Sequence, residues 1–405
     1  MKKEEVVILG STGSVGTSTV QVIEKHKDRR FRVGLLAACS NVQKIAGQAK
    51  KLGAASVYLD NPSAREDLAH LKSMKTRRVL ESRSELIHFL GAGSFDIAVV
   101  TFADFEMSTL VLRALLERRD RALKVLVASK EPIVVFGDYF KELAVSHGHH
   151  LIPLDSEPSA IYQCLGGSLS ANGDVEKIYL TATGGPFYKN PVAYDRVTPA
   201  MALNHPIWNM GKKITVDSAT LVNKALELME IGHLFSLSTG AVKILIHPQC
   251  VVHSMVAMRN GSILAQMGPA TMKLPIHYGL LWPRGFSENG VLKPIDARAF
   301  SHLTFEEPDL KRFPALKFAL EIAGIADQRK RLIARSAFLG ADEAAVENFV
   351  SKRLSFAKIP TVLKETVRKA QKHFMGQGPR ARAQDLEFGL QVYRWAKEKA
   401  SARGG

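Results

Sequence analysis

The hydrophobic pattern of the chain changes character near residue 150. Before that point, short apolar runs such as EVVILG, RVGLLAA and FDIAVVTF alternate with stretches of helical periodicity. Apolar runs separated by helical segments are typical of a parallel sheet with helices on both faces. The pattern therefore predicts an N-terminal α/β domain over residues 1–150.

Beyond that point the apolar runs lengthen, as in VEKIYLTAT, AVKILIHPQC and VVHSMVAMRNGSILAQM. The last run contains Asn260-Gly261, which is typical of a tight hairpin turn. These runs predict a second α/β domain over 151–285. Turn-forming residues predict a linker over 286–311, and helical periodicity predicts a small helical bundle over 312–405.

Composition narrows the class of protein. A chain of 405 residues is long enough for two or three domains. Its hydrophobic content is 46%, and because it has no long apolar run we expect a soluble globular protein. Its three widely spaced cysteines argue against a disulfide framework or a cysteine zinc site. The opening MKKEEVVILG enters a strand at once and leaves no room for a leader peptide. We therefore expect a cytoplasmic protein.

The formal net charge of +16 has one plain interpretation and two more specific ones. It is compatible with a solvated basic surface, with nucleic-acid binding, or with attraction of phosphorylated ligands. The basic residues are scattered, and no basic stretch is interleaved with aromatic residues. Nucleic-acid binding is therefore not expected and stays only an alternative hypothesis about the function.

The first strand is followed directly by a glycine-rich loop at the start of a helix. The loop residues are Gly10, Ser11, Thr12, Gly13, Ser14, Val15 and Gly16. Glycines at this place allow a tight turn and close approach of a phosphate to backbone N–H groups. The loop indicates dinucleotide binding, with a plain glycine turn as the alternative.

The second strand ends in Ala38, Cys39, Ser40 and Asn41. An Asp or Glu that holds the ribose hydroxyls of NAD usually stands there, and its absence favours NADP. No arginine is in place, but Ser40 and Asn41 can donate hydrogen bonds to a 2′-phosphate. The strand end therefore favours NADPH over NADH.

Two carboxylates, Asp155 and Glu157, follow an apolar strand in LIPLDSEPSAIY. Buried charge is costly unless it is compensated. Either these residues form a turn that caps the next helix, or they belong to a site for a hard divalent cation. Glu227, on a helix further along the chain, would complete such a site.

The segment around Glu227 offers groups that bind a phosphate. Ser218 is a candidate N-cap of a helix that ends near Gly232, and Asn223, Lys224 and Glu227 share one stripe of that helix. The stripe is either a solvated face with a Lys224–Glu227 pair or one wall of a cleft. Thr183, followed by two glycines, ends another strand and either holds an anion or begins an ordinary turn.

These motifs together resemble the 1-deoxy-D-xylulose 5-phosphate reductoisomerase family. The resemblance spans almost the whole chain and rests on GSTGSVG, ASKE, LDSE, GGPF, HPIWNMGKKITVDSATLVNKALE and IHPQCVVHSMV. It implies a Rossmann-like NADPH domain, a central catalytic α/β domain, a C-terminal four-helix domain and a homodimer. It further implies that the protein converts 1-deoxy-D-xylulose 5-phosphate to 2-C-methyl-D-erythritol 4-phosphate in non-mevalonate isoprenoid biosynthesis. This reaction would depend on NADPH and on Mg²⁺ or Mn²⁺.

The resemblance also assigns roles to residues of this chain. It implies a metal held by Asp155, Glu157 and Glu227, with Lys130 and Ser156 beside the substrate. It implies a substrate phosphate bound by Thr183, His205, Ser218, Asn223 and Lys224. A mobile lid would carry Trp208 over the substrate and Met210 near the nicotinamide. Gly211, Ser129 and Glu131 would also contact the cofactor. The implied catalytic residues are Lys130, Glu157, His205 and Trp208.

Several positions depart from the family pattern. VVTFADF replaces a small glycine-containing loop near the cofactor, so Phe102 or Asp104 could crowd or repel a pyrophosphate. Ser129 stands where Asn is usual, Thr183 where Ser is usual, and Asp342 where Asn is usual. These departures leave open a catalytically altered relative that binds NADPH and a sugar phosphate without turnover.

Overall fold

The computed structural model describes residues 3–26, 30–71, 74, 77–171, 173–286, 292–377 and 382–403. The chain forms two compact units and enters each of them more than once. The first unit consists of Met1–Pro132, Asp138–Tyr162 and Thr271–Pro294. The second consists of Ile133–Gly137, Gln163–Ala270 and Ile295–Gly405.

A seven-stranded parallel sheet forms the centre of the first unit. Its strands are β1 Glu4–Leu9, β2 Phe31–Ala38, β3 Ser56–Leu59, β4 Arg78–Val79, β5 Ile97–Val100, β6 Lys124–Val127 and β7 His150–Pro153. The apolar residues of β1 and all of β5 are buried, as expected for strands covered on both faces. The predicted Rossmann-like α/β fold is confirmed.

Helices accompany these strands, and four of them begin at a side-chain cap. The helices are α1 Ser14–His26, α2 Val42–Leu52, α3 Pro62–His70, α4 Arg83–Ala92, α5 Phe105–Leu116, α6 Lys130–Ser146, α7 Ser156–Cys164 and α11 Lys273–Leu281. The side chains of Asn41, Asn61, Ser82 and Asp104 accept hydrogen bonds from the first turns of α2, α3, α4 and α5. Such caps satisfy backbone N–H groups that have no partner within the helix.

In the strand order β4-β3-β2-β1-β5-β6-β7, strands β2 to β4 are added on one side of β1 and strands β5 to β7 on the other. The order therefore switches between β1 and β5, although all strands stay parallel. Gly10 lies at this point with a φ of +100°, and a Cβ there would lie 2.6 Å from Thr101, which follows β5. A Cβ on Gly16 would lie 2.1 Å from the Gly10 carbonyl oxygen. Only glycine fits both positions, so the predicted loop forms where open parallel sheets bind ligands.

The second unit contains a four-stranded mixed sheet with the order β11-β10-β8-β9. Its strands are β8 Val175–Ala182, β9 Val242–Ile246, β10 Val252–Met258 and β11 Ile263–Met267. The antiparallel pair β10–β11 turns at Gly261, whose φ is +87°, so the predicted hairpin is confirmed. Three helices lie between β8 and β9, namely α8 Pro199–Ala202, α9 Lys212–Thr220 and α10 Val222–Leu234.

The C-terminal part of the second unit is helical, as the periodicity predicts. It contains α12 Pro314–Ala323, α13 Gln328–Val350, α14 Ile359–Phe374 and α15 Arg382–Ser401. The segment predicted to be a linker holds a short 3-10 turn, Ala297–Phe300, and a bridge between Ile246 and Glu306. The domain limits near residues 150, 285 and 311 stay predictions. Across the described residues, every helix is too short or too polar to traverse a lipid bilayer.

Candidate active site

The predicted site residues of the first unit all follow the carboxyl ends of its strands. Gly10–Gly16 follow β1, and Ser40 and Asn41 follow β2. Ser129–Glu131 follow β6, and Asp155–Glu157 follow β7. Parallel strands of one sheet end at the same edge, and open α/β sheets bind ligands along that edge. The fold therefore gathers segments that are far apart in sequence.

The glycine loop presents backbone donors at the start of α1. The first helical hydrogen bond runs from Thr17 N to the Gly13 carbonyl at 2.9 Å. The N–H groups of Ser14, Val15 and Gly16 therefore have no carbonyl partner within the helix, and the helix dipole adds positive potential there. This arrangement suits a pyrophosphate.

Two side chains of α2 hold the glycine loop, and the sequence analysis missed both. Buried Gln48 donates from Nε2 to the Ser11 carbonyl at 2.8 Å, and Lys44 donates from Nζ to the Thr12 carbonyl at 2.7 Å. Lys44 lies three positions after Asn41, whose side chain caps α2 through the Lys44 backbone N–H. The helix start just after β2 was the signal that could have placed Lys44 beside the loop.

The unusual loop after β5 is integrated into the first unit. Phe102 is buried, and its carbonyl accepts a 2.6 Å hydrogen bond from Ser129 Oγ. Asp104 caps α5 by accepting from Met107 N at 2.7 Å. The Phe102 side chain therefore packs in the core. The expectation that Phe102 or Asp104 crowds or repels a pyrophosphate stays a prediction.

The carboxylates after β7 are compensated by neighbours in the same unit. Lys130 Nζ lies 2.5 Å from Asp155 Oδ2, and both side chains are largely buried. Ser156 donates from Oγ to Glu157 Oε2 at 2.5 Å and from its backbone N to Asp155 Oδ1 at 3.1 Å. The ion pair with Lys130 offsets the cost of ending a buried strand in a negative charge.

The predicted helix around Ser218 is in fact two helices. Ser218 lies inside α9 and is not an N-cap, and Leu221 has a φ of +60° between α9 and α10. Helix α10 ends at Leu234, two residues beyond the predicted end at Gly232. The apolar periodicity continues through this break, so the pattern did not reveal the left-handed residue.

The polar stripe of α10 exists, and two of its residues, Lys224 and Glu227, are buried. Asn223 donates from Nδ2 to Glu227 Oε1 at 2.5 Å, and Lys224 forms an ion pair with Glu227 Oε2. Lys224 is 4% exposed and Glu227 is 1% exposed, so the alternative of a solvated face was wrong. A buried, mutually satisfied cluster of this kind is typical of a polar site.

The turn after β8 lies against α9. A Cβ on Gly185, whose φ is +66°, would lie 2.6 Å from the Ser218 carbonyl oxygen. Thr183 Oγ1 lies 3.1 Å from His205 Nε2. Within the second unit, the fold therefore gathers Thr183, His205 and Ser218.

His205 orients the segment that contains Trp208, Met210 and Gly211. Its Nδ1 accepts from Ile207 N at 3.1 Å and from Trp208 N at 2.9 Å, so the ring proton lies on Nε2 and donates to Thr183. Desolvation lowers the pKa of His205 to about 4. The three residues lie in an irregular stretch that leads into α9.

Asp342 forms an anchor for α9 that the sequence analysis also missed. Lys213 Nζ lies 2.6 Å from Asp217 Oδ2 and 2.7 Å from Asp342 Oδ2. Both carboxylates are nearly fully buried. The change from the usual Asn therefore supplies a charged partner that ties the start of α9 to α13.

Comparisons with known proteins agree along the whole chain. Residues 6–137 match the model of the 1-deoxy-D-xylulose 5-phosphate reductoisomerase family, and 151–235 match that of its C-terminal domain. Residues 267–399 match a further DXP reductoisomerase C-terminal domain model. Relatives named 1-deoxy-D-xylulose 5-phosphate reductoisomerase include one from Moorella thermoacetica, 37% identical, and one from Prosthecochloris aestuarii, 38% identical. Each alignment covers 98% of both chains.

Solved structures show the same similarity. The reductoisomerase from Zymomonas mobilis in complex with NADPH is 32% identical, with a TM-score of 0.85 and coverage of 100% of this chain and 99% of that one. A DOX-P reductoisomerase in complex with NADPH, fosmidomycin and magnesium is 30% identical, with a TM-score of 0.88 and coverage of 99% and 98%.

We predict that His205 stays neutral down to about pH 5, because burial opposes its protonation. Its folded pKa of about 4 lies below the ordinary value of 6.5. The associated stability is therefore complete above pH 6.5 and is lost as the pH falls towards 4. An NMR titration of the histidine ring protons checks this, with His205→Asn identifying the resonance. A midpoint near 6.5 would contradict it.

Proposed function

Because this chain belongs to the 1-deoxy-D-xylulose 5-phosphate reductoisomerase family, we propose that it rearranges and reduces 1-deoxy-D-xylulose 5-phosphate. The product is 2-C-methyl-D-erythritol 4-phosphate, an intermediate of non-mevalonate isoprenoid biosynthesis. The observation that carries the proposal is the cluster of Asn223 with the buried residues Lys224 and Glu227. A carboxylate, a cation and an amide donor on one buried helix face suit both a metal and a phosphate.

NADPH is the proposed reductant. The glycine loop fits its pyrophosphate, because a Cβ at Gly10 or Gly16 would clash with neighbouring backbone. Ser40 and Asn41 follow β2, and residues 38–41 at that strand end include no carboxylate that would repel a 2′-phosphate. Ser129 and Glu131 at the start of α6, and Met210 and Gly211 before α9, complete the proposed cofactor contacts. A solved relative is a complex with NADPH.

Mg²⁺ or Mn²⁺ is the proposed metal, with Asp155, Glu157 and Glu227 as ligands. The donor set fits, because hard divalent cations prefer carboxylate oxygens. Each carboxylate already has a hydrogen-bonding or ionic partner in its own unit, which orients its oxygens. A solved relative is a complex with magnesium.

When bound, the cation polarises the substrate ketone and a neighbouring hydroxyl as a Lewis acid, and NADPH supplies the hydride that reduces the rearranged aldehyde. Lys130 and Ser156, which contact Asp155 and Glu157, orient the substrate oxygens beside them. Trp208 covers the substrate and excludes water. His205 holds the Trp208 backbone in place through its Nδ1.

The substrate phosphate is bound by the groups of the second unit. Lys224 supplies a cation, and Asn223, Ser218 and Thr183 supply neutral donors. The neutral His205 ring donates to Thr183 and fixes the direction of its hydroxyl. Binding energy from the phosphate orients the carbon atoms that react.

The alternative of a catalytically altered relative depended on the loop after β5. Because Phe102 is buried and Asp104 caps α5, the loop is compatible with a normal cofactor site. The surplus positive charge suits anionic ligands, and no observation favours nucleic acid.

A homodimer is also proposed. The edge strand β11 exposes Ile263, Leu264 and Met267, with exposed fractions of 56%, 42% and 36%. Its inner edge pairs with β10. An exposed apolar edge strand readily pairs with another chain, and the symmetric partner is a second copy.

The proposed reaction predicts NADPH oxidation only when 1-deoxy-D-xylulose 5-phosphate and Mg²⁺ or Mn²⁺ are both present. Glu227→Gln removes a proposed ligand and should lower Mn²⁺ affinity by at least about tenfold, with severe loss of turnover. Isothermal titration with Mn²⁺ measures the first effect, and circular dichroism checks the fold. Exposed Glu321→Gln on α12 is the control. Full activity of the Glu227→Gln variant, or of wild type in excess chelator, would refute the metal role.

Lys224→Ala should mainly weaken substrate capture. A charge-assisted hydrogen bond contributes about 1.5–3 kcal/mol, so kcat/KM should fall by about 10- to 100-fold. Lys212→Ala, at the exposed start of α9, is the matched control. If kcat/KM of the Lys224 variant stays within about twofold of wild type, the lysine does not bind the phosphate.

Leu264→Glu should shift the protein from dimer to monomer, because it places a charge in the proposed apolar interface. Sedimentation velocity at several concentrations measures the mass. Val145→Glu, at a 75% exposed apolar position elsewhere, is the control. An unchanged mass for both variants would place the interface away from β11, and a monomeric wild type would rule out the dimer.

A further inference from the structure

The end of β2 carries no charged side chain, but a lysine on the next helix reaches the glycine loop. Lys44 Nζ donates to the Thr12 carbonyl at 2.7 Å, while the Lys44 backbone N donates to Asn41 Oδ1 at 3.0 Å. Lys44 therefore spans the ends of β1 and β2. In dinucleotide-binding sheets the pyrophosphate lies beside the first loop, and the ribose 2′ substituent lies at the end of the second strand.

The charge of Lys44 is not used by a carboxylate. Lys51, on the same helix, lies 2.7 Å from Glu24, whereas none of the ion pairs among the described residues involves Lys44. Its side chain is exposed, and its ammonium keeps two donors beyond the bond to Thr12. A cation held at this place attracts an additional phosphate.

We propose that Lys44 selects NADPH over NADH by binding the 2′-phosphate, the role that an arginine at the strand end would otherwise have. The inference rests on the proposed NADPH-dependent function and names a residue that determines its specificity. Ser40 and Asn41 contribute only neutral donors, so removing Lys44 removes the ammonium group that α2 places beside the glycine loop. The competing explanation is that Lys44 only holds the glycine loop through Thr12.

Binding of nucleotides to the full chain separates these explanations. Isothermal titration compares adenosine 2′,5′-bisphosphate with adenosine 5′-monophosphate for wild type, Lys44→Met, Lys44→Arg and the control Lys50→Met, an exposed lysine on the same helix. We expect Lys44→Met to lower the affinity for the bisphosphate by about 10- to 100-fold and the affinity for the monophosphate by less than about twofold. Lys44→Arg and Lys50→Met should stay close to wild type.

Kinetics gives a second measurement. In Lys44→Met, the ratio of kcat/KM for NADPH to kcat/KM for NADH should fall by about 10- to 100-fold, the same factor as the loss of bisphosphate binding. It should recover when Ser40→Arg is added, because a cation then returns to the strand end. In the wild-type background, Ser40→Arg should widen the preference.

Two results would overturn the inference. Equal losses for both nucleotides would make Lys44 a support of the loop, and unchanged binding of the bisphosphate would make it a surface charge. These results are distinct from failure of the proposed function. A wild type that binds the bisphosphate through Lys44 but does not turn over the sugar phosphate would refute the activity and leave the inference standing.

Discussion

Charge compensation of buried carboxylates is the constraint on which the site depends. Lys130 compensates Asp155 after β7, and Lys224 compensates Glu227 on α10. Lys213 forms ion pairs with both Asp217 and Asp342. Breaking a buried pair by removing one partner costs about 3–5 kcal/mol, because the remaining charge stays out of water. These lysines therefore allow acidic groups to interrupt elements that are otherwise apolar.

Several of the residues that depart from the family pattern also have structural contacts. Asp342, where Asn is usual, is tied to Lys213, and Asp104 receives the Met107 N–H as a helix cap. Phe102 is buried, and its carbonyl accepts from Ser129, another unusual residue. Asp342, Asp104 and Phe102 each have a structural contact, so these residues fit the fold without changing the predicted ligands. Departure from a family pattern is therefore weak evidence for lost function when the new side chain has a structural role.

Electrostatics also connects the composition to the proposed ligands. Both proposed organic ligands are phosphorylated anions, and a formal net charge of +16 favours their approach. Net charge does not discriminate between these two ligands, whereas backbone and side-chain groups at defined positions do. The glycine loop offers backbone donors, the buried stripe of α10 offers a cation and an amide, and Lys44 offers an exposed cation beside Thr12.

Local pattern was sufficient for the elements and for much of the candidate site. Continuous apolar runs predicted the parallel strands, Asn260-Gly261 predicted the hairpin, and three glycines after the first strand predicted the loop at the sheet edge. These features depend on neighbours in sequence, through backbone conformation and side-chain period. The stripe of Asn223, Lys224 and Glu227 was predictable for the same reason, since residues three or four apart share a helix face.

The features that the sequence did not predict depend on groups that tertiary packing brings together. Periodicity continues across Leu221, so only the folded backbone revealed the left-handed residue that separates α9 from α10. Burial of Glu227 depends on the elements packed around α10, which a helical stripe does not encode. The contacts of Lys44 with Thr12 and of Lys213 with Asp342 join residues 32 and 129 positions apart. The sequence by itself thus determined the elements, the glycine loop and the donor types, because these follow from local chemistry. Only the tertiary structure decided the ion pairs between distant residues, such as Lys130 with Asp155 and Lys213 with Asp342, because those pairs depend on distances that no local pattern contains.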